Sequence, residues 1–316
     1  MSETIIQAKQ VGEELAGQRV DQAAATLFPD FSRARLQAWI REGRLTVDGA
    51  EAKASQRIAG GEHLRLEAET EPAVDHVPQR VPLDIVHADE HLVLVNKPAD
   101  LVVHPAPGNP DRTLLNGLLH FDPALADLPR AGIVHRLDKD TTGIMVVARS
   151  LKAHASLVEQ LRTRRMSRTY EAVAHGVVRP RGTIDAPVAR HPRDRKRMAV
   201  VAGGKPAVSH FRRLAAYRAF SHVEVSLETG RTHQIRVHFA HIGHPLVGDA
   251  QYGKRLAKKA DVPAALREVV EAFPRQALHA RRLEFDHPAT GERVRFEAPI
   301  PEDLAELLAA LAALGT

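Results

Sequence analysis

The chain has 316 residues, 44% of them hydrophobic, with 44 Lys and Arg against 39 Asp and Glu, a formal charge of +5, and 18 His. That length admits two domains with substantial cores and excludes a small cross-linked peptide. The absence of Cys excludes disulfides, thiolate-ligated zinc, iron–sulfur clusters and thiol nucleophiles, so covalent chemistry falls to another side chain and a reducing, cytoplasmic setting is expected. The opening MSETIIQAKQ lacks the basic-then-apolar layout of an export signal, and no apolar run approaches the roughly 18 residues of a membrane span. A soluble protein without a membrane partner is the expectation.

In chain order, SRARLQAWIREGRLTVDG predicts a helix with Ser32 near its N-cap, Leu36 and Ile40 on one face, Gly43 as its stop, and a short strand LTVDG behind it. Trp39 and Ile40 are expected to pack inward while Arg33, Arg35 and Arg41 project, giving a basic amphipathic helix. Residues 70–82, TEPAVDHVPQRVP, hold three Pro and no regular period, so the domain boundary falls there: a small domain over 1–75, a linker over 76–82 and a larger domain over 83–316. Beyond it, strands are predicted at 91–98, 143–150, 170–178, 222–230 and 293–301, with helices at 151–165 and 231–243 and at the C-terminal end after Pro301. Strands and helices do not alternate with a fixed period, and neither a dinucleotide nor a P-loop glycine signature occurs. The expected class is therefore α+β with a mixed or mostly antiparallel sheet, without a nucleotide cofactor.

Charge is unevenly distributed. Residues 161–198 carry a net +8, residues 31–57 a net +3, and the first 80 residues as a whole hold 10 basic against 13 acidic side chains. Two separated basic segments suggest two contacts on one polyanion, with Arg33, Arg35, Arg41 and Arg44 in the first and Arg193, Arg195, Lys196 and Arg197 in the second. Lys254, Arg255, Lys258 and Lys259 are further candidates for phosphate contacts.

Two stretches concentrate reactive side chains. GIVHRLDKDTTGIMVVARS packs His135, Arg136, Asp138, Lys139 and Asp140 before an apolar strand, where an Asp can serve as a nucleophile or merely cap a turn. LETGRTHQIRVHFAHIGHPLVGDAQYG presents Arg231 at a Gly-preceded helix start, then His233, Gln234, Arg236 and His238; a guanidinium here can pair with a carboxylate and aim it. Metal binding by His238, His241 and His244 is the rival reading, disfavoured because the pattern is not a His-Glu-x-x-His helix. Tyr170, opening a strand after the basic run, can stack on a base or simply fill the strand.

HRLDKDTTG, with NKPADLVVHP, RTYEAVAHG, TGRTHQIRVHFAHIGHPLVGD and RQALHARRLEFDHP in that order over residues 83–301, resembles the RluA family of RNA pseudouridine synthases. The segments SRARLQAWIREGRLTVDG and ASQRIAGGEHLRLE resemble an S4-type RNA-binding domain, found in one branch of that family. The resemblance implies a pseudouridine synthase fold with a small α+β S4-like domain in front. It implies an isomerase that needs neither cofactor nor metal and acts on uridines of large-subunit (23S) ribosomal RNA. Carried over by motif, the catalytic aspartate falls on Asp138 and not on Asp140, Arg136 is the arginine that occupies the space of a flipped uridine, Tyr170 the tyrosine that stacks on the base, and Arg231 the arginine paired with the carboxylate. Asp138 would attack the sugar, abstract a ribose proton or attack the base. A non-catalytic RNA-binding protein and a hydrolytic N-glycosidase are the rivals, and a monomer is expected.

Overall fold

The computed structural model describes residues 3–29, 31, 33–70, 77–106, 108–253 and 262–315. The expected cap Ser32, the first linker residue and the candidates Lys254, Arg255, Lys258 and Lys259 lie outside them. The chain divides into two compact units, Met1–Asp75 and His76–Thr316.

In the first unit, β1 (Glu3–Gln10), β2 (Leu45–Val47), β3 (Ala50–Glu51) and β4 (His63–Thr70) form an antiparallel sheet in the order β1-β4-β2-β3, with helices α1 (Val20–Leu27) and α2 (Arg33–Arg41) between the first two strands in sequence. This is the small α+β, S4-like arrangement that the motif predicts. Leu36, Trp39 and Ile40, at helical spacing, are buried with Val20, Ala24, Leu45, Leu64 and Leu66. Gly43 takes the left-handed turn, φ 69°, that ends α2. Asp21 of α1, wholly buried, receives Arg33 at 2.6 Å, Arg19 at 2.9 Å and Gln37 at 2.5 Å, which locks α2 onto α1.

Among its described residues the second unit has a sheet of nine strands: β5 (Asp84–Ala88), β6 (Leu92–Lys97), β7 (Thr142–Ala148), β8 (Ser167–His175), β9 (Arg181–Asp185), then β12 (Val208–Tyr217), β13 (Phe220–Leu227), β14 (Leu278–Asp286) and β15 (Arg293–Glu297). A separate hairpin pairs β10 (Val188–Arg190) with β11 (Met198–Val200). The large sheet runs β5-β6-β7-β14-β8-β13-β12-β9, with β15 on β14, and among the described residues β7 and β14 alone pair in parallel. Its helices are α3 (Leu114–Phe121), α4 (Leu151–Arg162), α5 (Gln234–His241), α6 (Ala264–Ala272) and α7 (Glu302–Leu314). The fold is thus α+β with a mostly antiparallel sheet.

Strands β6 and β7 read as unbroken apolar runs because both of their faces are covered. Val93, Val95, Met145 and Val147 join the core with α3, and Leu92, Leu94, Ile144 and Val146 the core with α4. Gly143 allows the parallel pairing: a Cβ there would lie 2.2 Å from the Ala280 carbonyl oxygen. From Val77 onward the proline-rich segment is fastened to the second unit, since the Asn116 side chain donates to the Val77 carbonyl and the Gln79 amide to the Asn116 carbonyl. No helix among the described residues is long and apolar enough to cross a membrane.

Candidate active site

Asp138 sits in the loop that leads into β7, and two buried cations pin that loop by its backbone. Lys97, at the end of β6 and fully buried, donates to the carbonyls of Lys139 at 2.8 Å, Leu101 at 2.9 Å and Pro98 at 2.7 Å. Arg275 donates to the Asp140 carbonyl while its other edge holds Asp303 at 2.6 Å and 2.8 Å. A tight turn, with the Thr141 amide on the Asp138 carbonyl, completes the loop. Burial lowers Lys97 to about 7, against the pull of Asp140 and Asp138.

The carboxylate of Asp138 is held by Arg236, whose Nη1 donates to Oδ2 at 2.9 Å. The opposite edge of the same guanidinium grips Asp249, Nε to Oδ2 at 2.7 Å and Nη2 to Oδ1 at 2.9 Å. Burial opposes the Arg236 charge, but Asp249 and Asp138 outweigh it and raise its pKa. Burial likewise raises Asp249, while Arg236 and the Tyr252 and Gln251 amides bring it below the usual carboxylate range. Arg231 does not make the expected pair: its Nε donates to the Pro206 carbonyl at 3.0 Å. The physical reason is the helix start. TGRTH is a loop closed by His233 in the left-handed region, φ 56°, so α5 begins at Gln234 and its first turn delivers residue 236, not 231, to the carboxylate.

Oδ1 of Asp138 faces His233 Nε2 at 3.8 Å. The Tyr252 hydroxyl accepts the Met198 amide at 2.8 Å and shares a hydrogen bond of 2.8 Å with His233 Nδ1, which fixes the imidazole with its Nε2 toward Asp138. Burial lowers the pKa of His233 although Asp138 pulls it up.

Asp138, His233 and Arg236 line a cleft of about 950 Å³, ample for a nucleoside. Tyr170, buried on β8, and Arg136, exposed, line it together with Asp138 and Arg231, so the cleft brings all four predicted site residues together. Burial pushes the Tyr170 hydroxyl up. The lining is strongly cationic, with Arg130, Arg136, Arg168, Arg231 and Arg236 against the acids Asp138 and Glu228.

Of the predicted RNA contacts, Arg193, Arg195 and Lys196 are exposed in the turn between β10 and β11, and Arg197 lies over the Tyr252 ring, 5.2 Å from its centroid. Gln251 donates to the Lys196 carbonyl at 2.9 Å and lies 3.4 Å from Arg236, so the basic turn is joined to the residues that hold Asp138. In the first unit Arg41 and Arg44 are exposed, Arg35 packs over Trp39, and Arg33 is engaged by Asp21.

Residues 91–241 match the family profile described as RNA pseudouridylate synthase. Over 311 residues the chain is 56% identical to the ribosomal large subunit pseudouridine synthase D of Pseudomonas aeruginosa, covering 98% of this chain and 97% of that protein. The chain belongs to the RNA pseudouridylate synthase family. The pseudouridine synthase D of Escherichia coli K12 is 51% identical over 299 residues, 94% of this chain and 92% of that protein. Among solved structures, human RNA pseudouridylate synthase domain containing 1 superposes with a TM-score of 0.55 at 28% identity over 76% of this chain and 90% of that one. Human domain containing 4 gives 0.57 at 26% over 72% and 92%. In this pseudouridylate synthase, sequence reasoning singled out Arg236 and His233 only as neighbours of Arg231, and missed Lys97, Arg168, Asp249 and Tyr252. Signals for Lys97 were its place at the close of LVLVNK, a strand with four buried apolar residues, and its position in the motif NKPADLVVHP.

Proposed function

We propose that this chain isomerises uridines of large-subunit ribosomal RNA to pseudouridine, as the names of its relatives indicate for those proteins. The observation that carries the reading is the Asp138 carboxylate, aimed by Arg236 into a cationic cleft that it shares with Tyr170. With Oδ2 held by Arg236, Oδ1 is the oxygen left for the substrate.

A paired uridine is out of reach of such a cleft, so the nucleotide must leave its stack, at a cost of a few kcal/mol. In this reading Tyr170 receives the extruded base face to face and Arg136, exposed at the cleft, fills the gap left in the RNA. Asp138 then acts at the sugar or the base, the glycosidic bond breaks, and the ring rejoins through carbon. Exposed Arg193, Arg195 and Lys196 grip backbone phosphates beside the cleft, and the first unit adds a second contact through Arg41 and Arg44. Arg33 holds Asp21 and contributes less there.

RNA tritiated at uracil C5 tests the reading. Isomerisation releases tritium to water with the chain intact, hydrolysis leaves an abasic site, and binding alone does neither. Asp138→Asn is expected to abolish release while retaining RNA affinity; full activity in that variant refutes the assignment.

A further inference from the structure

One side chain in the cleft has no part in the roles above. Arg168 is the second residue of β8, two before Tyr170, so the two project from the same face of the sheet. It is only 8% exposed, its Nε–H has no partner, and its guanidinium makes no hydrogen bond or ion pair with any described residue. Room is made for it by Gly230, where a Cβ would lie 2.5 Å from Arg168 Nη1.

Among the described residues no acid pairs with it. Burial, with the nearby Arg168 charge adding to it, holds His135 down to about 3, and its Nε2 accepts the Val146 amide, so the ring is neutral. The Tyr170 hydroxyl stays protonated because burial raises it. The two acids of the cleft are engaged elsewhere, Asp138 by Arg236 and Glu228 by Arg164 and His210. A guanidinium whose Nε–H is buried without a partner, and whose other nitrogens meet no acid among the described residues, keeps donors open toward the cleft, and what enters the cleft completes them.

We infer that Arg168 donates to a carbonyl oxygen of the uracil ring seated on Tyr170 and stabilises the negative charge which that ring acquires during the reaction. The inference rests on the isomerisation proposed above. There the N1–C1′ bond breaks and its electron pair leaves on uracil, spread over N1, O2 and O4. Ring electrons then form the C5–C1′ bond, the C5 proton passes to water, and N1 takes up a proton, so no oxidant or group donor is consumed. A fixed cation in a dry site favours such a step because its dipoles need no reorganisation. The ring is favoured over a phosphate as ligand because Arg168 lies at the buried floor beside Tyr170, whereas the exposed Arg130 and Arg136 face the outside, where the RNA backbone must run.

Single-turnover tritium release and RNA affinity, measured separately on Arg168→Met and wild type, test the inference. The rate constant is expected to fall about a hundred- to a thousandfold, with Kd changed less than about threefold, and added guanidinium at sub-denaturing concentration should partly restore Arg168→Ala. A loss of affinity that matches the loss of rate assigns the residue to a phosphate and overturns the proposal, as does an unchanged rate. Should the Arg168 variants fail to fold, Gly230→Ala displaces the guanidinium without removing it; a slowed reaction at unchanged Kd supports the assignment and wild-type turnover overturns it. Absence of release from the wild-type protein itself refutes the proposed isomerisation, a result separate from any effect of Arg168.

Discussion

Replacing Arg236 and Arg231 by Lys, one at a time, separates the arginine that aims the carboxylate from the one that does not. Arg236 serves two carboxylates from opposite edges, through contacts of 2.9 Å to Asp138 and of 2.7 and 2.9 Å to Asp249. An ammonium is a point donor and cannot span both. If Lys stays on the wholly buried Asp249, Asp138 loses a charge-assisted hydrogen bond worth about 1.5–3 kcal/mol, which slows the reaction about tenfold to somewhat over a hundredfold. If it turns to Asp138 instead, Asp249 keeps only the Gln251 and Tyr252 amides, and breaking that buried pair costs the fold about 3–5 kcal/mol. Arg231 makes one side-chain hydrogen bond, to a backbone carbonyl, so its Lys variant is expected to lose less than about fivefold. Single-turnover tritium release gives the rates and urea titration the stabilities. A greater loss in Arg231→Lys than in Arg236→Lys, or a fully active and stable Arg236→Lys, refutes the reasoning.

Other parts of the molecule carry expectations of their own. Burial holds His135 at about 3 and His279 at about 4, below the roughly 6.5 of an unfolded chain, so the unfolded state binds the extra protons. Stability from these groups is therefore complete above about pH 6.5 and declines as pH falls toward 4, by about 2 kcal/mol per histidine at pH 5; an unchanged urea midpoint between pH 7.5 and 5 contradicts this. Lys97→Met removes three donors from the loop that carries Asp138, and is expected to destabilise the protein by about 3 kcal/mol and to slow turnover in the fraction that folds, read by urea titration and tritium release. Changing Arg193, Arg195 and Lys196 together to Gln should weaken RNA binding and flatten its log–log salt dependence by up to about 0.7–0.9 for each phosphate that is no longer neutralised. An unaltered slope removes the basic turn from the RNA interface.

The strands β6, β7 and β13 and helices α2, α4, α5 and α7 were legible because their apolar residues follow a clean period or an unbroken run. Edge and solvent-facing strands were not: β5 has every residue at least partly exposed, β9 is short and mostly polar, and β10 spans three residues, so nothing in their pattern separates them from loops. Asp138 was legible through its motif, whereas its partner was not. GRTHQIR offers two arginines, and the choice between them depends on where a helix begins, which His233 decides by adopting a left-handed conformation that few non-glycine residues take. Arg33 illustrates the opposite error. Charge and spacing place it on an exposed basic face, but they do not disclose that a buried acid twelve positions earlier claims it.

The single parallel pairing in the sheet has a consequence for how the protein comes into being. Thr142, four residues beyond Asp138, hydrogen-bonds His279 at 2.9 Å, and β14 is the strand that joins β7 to β8. Asp138 and Tyr170 thus stand on two half-sheets that remain separate until the chain has been made past residue 280. Closure of so long a loop makes assembly of the active site a late event in folding. A nascent chain still attached near residue 250 carries every proposed catalytic group and the arginine that aims the carboxylate, yet lacks the strand that brings them together. The activity is therefore expected to appear only near the end of synthesis, and not to accumulate gradually as the chain lengthens.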